Sequence, residues 1–242
     1  MPRKMLVALI AVVLVGAAFA PPAHAQSQAV SFNIGYFALR GLDARDNTDI
    51  AANELVLGGP QDLLDYRLKD FNNATFGADW LIGLGDFLEG GVGIAYYSSG
   101  NVTSVSRNFV NANGSEIVQN LKLRIVPITA TIRFLPLGRR SVVEPYVGAG
   151  LGAFIWRYSE VGEFVDADEN IFSSSFVSSG TKVGPVVLAG VRFPFGPYAF
   201  GGEWRYQRAK GDLDSNVFGA LASTVDLGGN SIQASFTIRF GG

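Results

Sequence analysis

The chain has 242 residues, of which only 17 % are Asp, Glu, Lys or Arg, against about 25 % in an ordinary soluble domain. Aromatic residues make up 12 % and Gly fills 30 positions; the apolar content excludes a disordered chain, and the absence of Cys excludes a disulfide scaffold and a Cys-ligated zinc site. A formal charge of −2 with no basic stripe argues against a nucleic-acid partner.

The first segment reads as a secretory signal. Arg3 and Lys4 give a positive start, Met5 to Ala20 form an unbroken apolar run, and Ala23-His24-Ala25 supplies a small-x-small cleavage pattern after two prolines. The run is short for a membrane-spanning helix, which needs about 20 apolar residues. Cleavage after Ala25 is therefore expected, leaving residues 26–242 as the mature chain. Loss of Arg3 and Lys4 leaves 17 basic against 21 acidic residues, a formal charge of −4, and removes the only His, His24.

Beyond residue 25 the pattern is alternation with period two, the mark of strands with two different faces. Eight such segments are predicted, at residues 28–40, 73–85, 87–99, 119–135, 143–158, 180–195, 198–210 and 229–240. The last is the cleanest: Ile232, Ala234, Phe236, Ile238 and Phe240 share one face, and Ser231, Gln233, Ser235, Thr237 and Arg239 the other. Three connections are short, at Gly85-Asp86, at Leu137 to Arg140 and at Gly196-Pro197. The connections at 41–72, 100–118, 159–179 and 211–228 are long and polar. Short turns alternating with long loops, an even strand number and a secretory signal predict an all-β fold: an eight-stranded antiparallel transmembrane β-barrel with short periplasmic turns and long external loops.

An energy comparison assigns the faces. In the seventh segment the even residues Phe200, Gly202, Trp204 and Tyr206 can meet lipid; the opposite register would put Glu203 and Arg205 there. An Arg at the bilayer midplane costs about 2–4 kcal/mol, and Glu somewhat less. The same test turns Phe76, Trp80 and Ile82 outward with Asp79 inward, and Val187, Ala189 and Phe193 outward with Arg192 inward. Trp80, Tyr198, Trp204 and Tyr206 are expected at the membrane interfaces. The fifth segment is apolar on both faces; its Gly residues are placed inward, where they leave room for long side chains. In the fourth, Lys122 and Arg124 share a parity with Val126, Ile128 and Ile132. Either a bulge at Pro127 switches faces, or the two cations sit outside at the outer rim, where lipid phosphates are available.

The external loops are less regular. Residues 102–118 read as a projecting hairpin turning at Asn113-Gly114, and a short helix is expected between Gln61 and Lys69. Asp166 to Asn170 and Asp212 to Asn216 begin like calcium loops but lack Gly at the sixth position and Glu at the twelfth. They read as solvated acidic loops, and no metal or cofactor is expected.

With its signal segment, the run Pro145-Tyr146-Val147-Gly148-Ala149-Gly150-Leu151-Gly152 and the terminal strand ending Thr237-Ile238-Arg239-Phe240, the chain resembles the small outer-membrane β-barrel proteins of the OmpA/OmpX type. The resemblance spans the mature chain. It implies a bacterial outer-membrane location and recognition of Phe236, Ile238 and Phe240 by the barrel-assembly machinery, although Gly241 and Gly242 follow. Some members carry a peptidoglycan-binding domain after the barrel; here a barrel alone is expected. Enzymes among such barrels use Ser with His or Asp with His; the mature chain has no His, so neither mechanism is open to it.

The remaining charges converge on the lumen. Asp79, Glu89, Arg133, Arg192, Glu203, Arg205 and Arg239 are all assigned inward. An eight-stranded barrel is only wide enough for its own side chains, and buried charges must pair. The reading is therefore a salt-bridged plug in a polar lumen, with Glu89 and Arg133 as partners on neighbouring strands. The function expected is a non-enzymatic structural or surface-contact role. The partners expected are outer-membrane lipid and lipopolysaccharide, with the barrel-assembly machinery during biogenesis, and a monomer is expected. A narrow channel for small or hydrophobic solutes, as in OmpW-like barrels, is the alternative, and a lipid-modifying enzyme comes last.

Overall fold

The computed structural model describes residues 27–57, 63–166, 168–218 and 222–241. The expected cleavage site at Ala23 and Ala25 lies outside these residues. Eight long strands form the wall: β1 (Gln28–Leu39), β2 (Asn73–Gly83), β3 (Leu88–Ser98), β4 (Glu116–Phe134), β5 (Glu144–Val165), β6 (Ile171–Phe195), β7 (Tyr198–Gln207) and β8 (Gly229–Phe240). Each pairs antiparallel with its neighbour in sequence, and β1 pairs with β8 from Gln28↔Phe240 to Leu39↔Gly229, which closes the ring. A closed ring leaves no free strand edge in the membrane.

The three short turns sit at one end. Gly85, Gly138 and Gly196, one in each, have φ of 102°, 76° and 59°, a backbone conformation that a side chain would strain. At the other end the wall is uneven. β4, β5 and β6 have 19, 22 and 25 residues, whereas the other five have 10 to 12. The connection at 159–179 is therefore not the long polar loop expected. β5 and β6 stay paired as far as Val165↔Ile171, and Phe164 packs against Phe172 and Phe176 at centroid distances of 6.0 and 4.6 Å. The turn is closed by Asp166, whose Oδ1 accepts from the backbone N–H of Asn170 at 2.8 Å and of Asp168 at 2.9 Å. That carboxylate thus serves its own hairpin.

The projecting hairpin at 102–118 is present, with Val102–Val110 paired to β4. In the first loop, the part of the expected helix at Gln61 and Asp62 lies outside the described residues. Within them, Leu64–Asp65 pairs with Val105 and Ser106, and Leu68–Phe71 is a 3-10 turn. Among the described residues of this loop an α-turn lies earlier, at Ile50–Ala52, capped by Asp49.

The faces alternate as the energy comparison requires. Phe76, Trp80, Val183, Phe193, Phe200 and Trp204 are exposed, and Asp79, Arg192, Glu203 and Arg205 are buried. Pro127 does not switch faces in β4. Its register with β5 runs unbroken from Gln119↔Gly162 to Phe134↔Val147, so Lys122 and Arg124 stand outside. Gly148, Gly150 and Gly152 of β5 share the inward parity of Tyr146 and Phe154.

Candidate functional site: the closed lumen

Near the turn end, the inward side chains form one charge network. Glu89 of β3 meets Arg192 of β6, three strands away across the lumen, at 3.0 Å. Arg192 reaches Glu144 of β5 at 3.5 Å, and Arg239 of β8 closes on the same carboxylate. Arg133 of β4 lies between Glu203 of β7 at 3.3 Å and Asp79 of β2 at 3.4 Å. Arg205 of β7 joins Asp79 at 3.2 Å to Glu203 at 2.8 Å. All seven residues assigned inward are thus in one cluster.

Two features differ from the expectation. Glu89 and Arg133 approach only to 3.9 Å, the longest contact of the set. Their neighbouring strands bring the backbones together, but both side chains reach across the lumen to nearer partners. Glu144, Arg139 and Tyr146 also belong. Arg139 reaches back from the second turn to Glu89 at 3.7 Å. The Tyr146 ring lies 5.1 Å from both the Arg133 and Arg192 guanidinium carbons, and its hydroxyl donates to Glu203 at 3.1 Å. Glu144 shares the parity of the inward glycines of β5, which was the available signal; Arg139 sits in a turn, where parity says nothing.

Glycine makes room for this cluster. A Cβ on Gly93 would lie 2.0 Å from Asp79 Oδ1, and one on Gly190 would lie 2.5 Å from the Tyr146 hydroxyl oxygen.

The outer half of the lumen is apolar, not polar as expected. Tyr97, Leu123, Ile125, Phe154 and Trp156 face inward there and are buried. They are covered by the first and last external connections, which fold into the mouth and bring Ile50, Leu55, Phe71, Leu213, Phe218 and Val225 onto them. Asp49 staples the two loops. It caps the α-turn through Ala51 N–H at 3.1 Å, pairs with Arg45 at 2.7 Å, and accepts from the Asp226 N–H at 2.7 Å. Arg40 in turn pairs with Asp226 at 3.3 Å. Between the charge network and the apolar cap, a cavity of about 20 Å³ remains, lined by Tyr97, Ile125, Arg205, Gln207 and Gln233. That is room for about one water molecule.

Above the membrane a carboxyl pair sits in the cap. Glu54 and Glu160 share a hydrogen bond, and the Tyr66 hydroxyl donates to Glu54 at 2.7 Å. Burial, and then the neighbouring Glu160, push the Glu54 carboxyl well above the usual carboxylate range. Burial raises Glu160 as well.

The expected interface aromatics divide into two groups. Trp80 and Tyr198 lie toward the turn end of their strands, and Trp204 and Tyr206 toward the loop end. Trp80 Nε1 donates to Gln28 at 3.3 Å and Trp204 Nε1 to Asn230 at 3.2 Å. Phe236, Ile238 and Phe240 have the outward parity of β8 at the closing seam with β1, opposite Phe32, Val30 and Gln28.

No protein-family model and no curated protein matches the sequence. Similar solved structures include Neisserial surface protein A, 13 % identical, with a TM-score of 0.44 over 88 % of this chain and 97 % of that one. The outer membrane protein OprG from Pseudomonas aeruginosa is 13 % identical, with a TM-score of 0.49 over 90 % and 97 %. The attachment invasion locus protein Ail of Yersinia pestis is 14 % identical, with a TM-score of 0.42 over 89 % and 99 %. Eight strands in a closed ring, an apolar outside, short turns at one end and long loops at the other are, by this chain's own geometry, the architecture of the small bacterial outer-membrane barrels of the OmpA/OmpX type.

Proposed function

We propose that the chain is a non-enzymatic bacterial outer-membrane barrel, closed along its axis, that anchors in lipid and presents its loops and the tall β4–β6 wall for surface contact. The observation that carries this reading is the double closure of the lumen. A charge network fills the periplasmic half, and an apolar cap held by Asp49 fills the outer half. The mature chain without His supports the non-enzymatic part. The closed ring, with no free edge in the membrane, supports a monomer. Lipopolysaccharide is the expected neighbour outside, and the barrel-assembly machinery the expected reader of Phe236, Ile238 and Phe240.

Two measurements test the proposal. The lipid A mass spectrum of cells should be the same with and without the protein; an added or missing acyl or phosphate group would make it an enzyme. Planar bilayers should show no steady current through the purified barrel, and a stable current would favour a channel.

A further inference from the structure

Every inward Arg of the lumen network has a carboxylate partner, but three cations on the outside of the same wall do not. Inward Leu121, Leu123 and Ile125 alternate with outward Lys122 and Arg124, and Tyr158 with outward Arg157. All three cations are exposed, and among the described residues none pairs with a carboxylate. Arg124 is directly across the ladder from Arg157. Like charges in that position repel.

Their height on the wall is equally specific. Ile128 and Ile155 lie just below them on the exposed apolar belt. The outward acids of these strands, Glu116 and Glu163, are at least six residues further out than the cations of their own strand, about 20 Å or more along an extended strand. At the level of the two arginines the ladder continues on both sides, from Ser98 of β3 through Arg124 and Arg157 to Ser179 of β6. The result is a row of four hydrogen-bond donors across four strands, at the upper edge of the apolar belt, with Lys122 one outward step above.

From this arrangement we infer that the outer wall of β3–β6 is a binding site for the phosphorylated headgroup of an outer-leaflet glycolipid. One phosphate bridges Arg124 and Arg157, Lys122 approaches from above, and the acyl chains lie along Ile128 and Ile155. The guanidinium fork suits phosphate geometry and donates to two oxygens at once. An anion between the two arginines also turns their mutual repulsion into a shared attraction. The inference rests on the outer-membrane reading above, which cell fractionation tests separately.

The test uses the mature barrel in detergent micelles, titrated with bisphosphorylated lipid A, with dephosphorylated lipid A and with inorganic phosphate, and read by native mass spectrometry. The wild type should prefer the phosphorylated lipid. The Lys122→Gln/Arg124→Gln/Arg157→Gln variant should bind it about 100-fold more weakly, with its binding of the dephosphorylated lipid unchanged. A control that removes three other external cations, Arg67→Gln/Lys69→Gln/Arg107→Gln, should bind as the wild type does. Heat-shifted migration on a gel checks folding. If the triple variant does not fold, Arg157→Gln alone should weaken binding about fivefold. Equal binding by wild type and variant, an equal loss in the control, or no preference for the phosphorylated lipid would overturn the proposal. Displacement of the lipid by an equal concentration of inorganic phosphate would overturn it too, by showing a site for free anions.

Discussion

Arg192 and Glu89 stand on strands three apart in the ring, and their side chains meet across the lumen at 3.0 Å. The contact cannot be read from the ladder, since neither residue is the other's strand neighbour. Both are almost fully buried, with side chains 3 % and 1 % exposed. Charges so removed from water are tolerated only when paired, so the two strands are tied by what their side chains need.

Removing Arg192 should therefore cost more than removing a surface arginine. Arg192→Ala leaves Glu89 dependent on Arg139 and Arg133, at 3.7 and 3.9 Å, and breaking such a buried pair costs roughly 3–5 kcal/mol. Adding Glu89→Ala should recover part of the loss, with a coupling of about 0.5–3 kcal/mol. Reversible urea unfolding in lipid vesicles measures both. Strict additivity would mean that the two side chains do not act on one another.

Arg133 is the hub, and a lysine should not replace it. Its guanidinium serves Asp79 and Glu203 at 3.4 and 3.3 Å while lying against the Tyr146 ring. A lysine has a point charge and no planar fork. Arg133→Lys should destabilise by about 1–3 kcal/mol in the same unfolding assay, and Arg133→Ala by more. A neutral Arg133→Lys would show that charge alone fills the position.

The lipid face makes a separate prediction. Ala234 is exposed in the middle of β8, and Ser235 beside it is buried in the lumen. Ala234→Arg should destabilise by about 2–4 kcal/mol in bilayers and much less in detergent. Ser235→Arg should destabilise in both, because crowding against Gly201 and Arg192 does not depend on the surrounding medium. The ratio of the two media is the measurement.

Strands were legible because their alternation is enforced twice, by lipid outside and by crowding inside. Asp79, Arg192, Glu203 and Arg205 could be placed by parity, since the opposite register would put each in lipid. Partners could not be. Arg192–Glu89 depends on which strands face across the ring, and Arg139 enters from a turn. The apolar cap was hidden for a different reason. Ile50, Leu55, Leu213 and Val225 lie at irregular spacing among polar loop residues, and only the folded mouth brings them onto Leu123 and Phe154. The β5–β6 projection was obscured because Ser173, Ser174 and Ser175 read as loop, while Phe164 and Phe176 hold the same stretch as strand.

The cap should loosen as pH rises. Glu54 and Glu160 have carboxyl pKa values raised by burial in the folded cap, so the folded form holds protons that the open form releases. The stabilisation is complete at pH below the ordinary carboxylate value of about 4.3, and is lost as pH climbs through the raised values. Protection of the amides at residues 50–56, taken relative to their intrinsic exchange rate at the same pH, should be greater at acid than at neutral pH. Glu160→Gln, which keeps a hydrogen-bonding side chain without the charge, should flatten that dependence.

Asp49 should control the cap without controlling the inner network. Asp49→Ala removes the helix cap, worth about 0.5–2 kcal/mol, and strands the buried Arg45. Exchange in both external connections should rise together, since Asp49 joins them through Asp226. A rise confined to residues 45–56 would show that the two loops close independently.

Single-channel recording in planar bilayers tests the sealed lumen most directly. The wild type should show no steady conductance, and Asp49→Ala should show none either, because the Arg133–Glu203 layer still blocks the axis. Current should appear only when both closures are lost, in Asp49→Ala/Arg133→Ala/Glu203→Ala, provided that variant runs as a folded barrel. A large, stable, ion-selective conductance from the wild type would contradict the account and make the protein a channel.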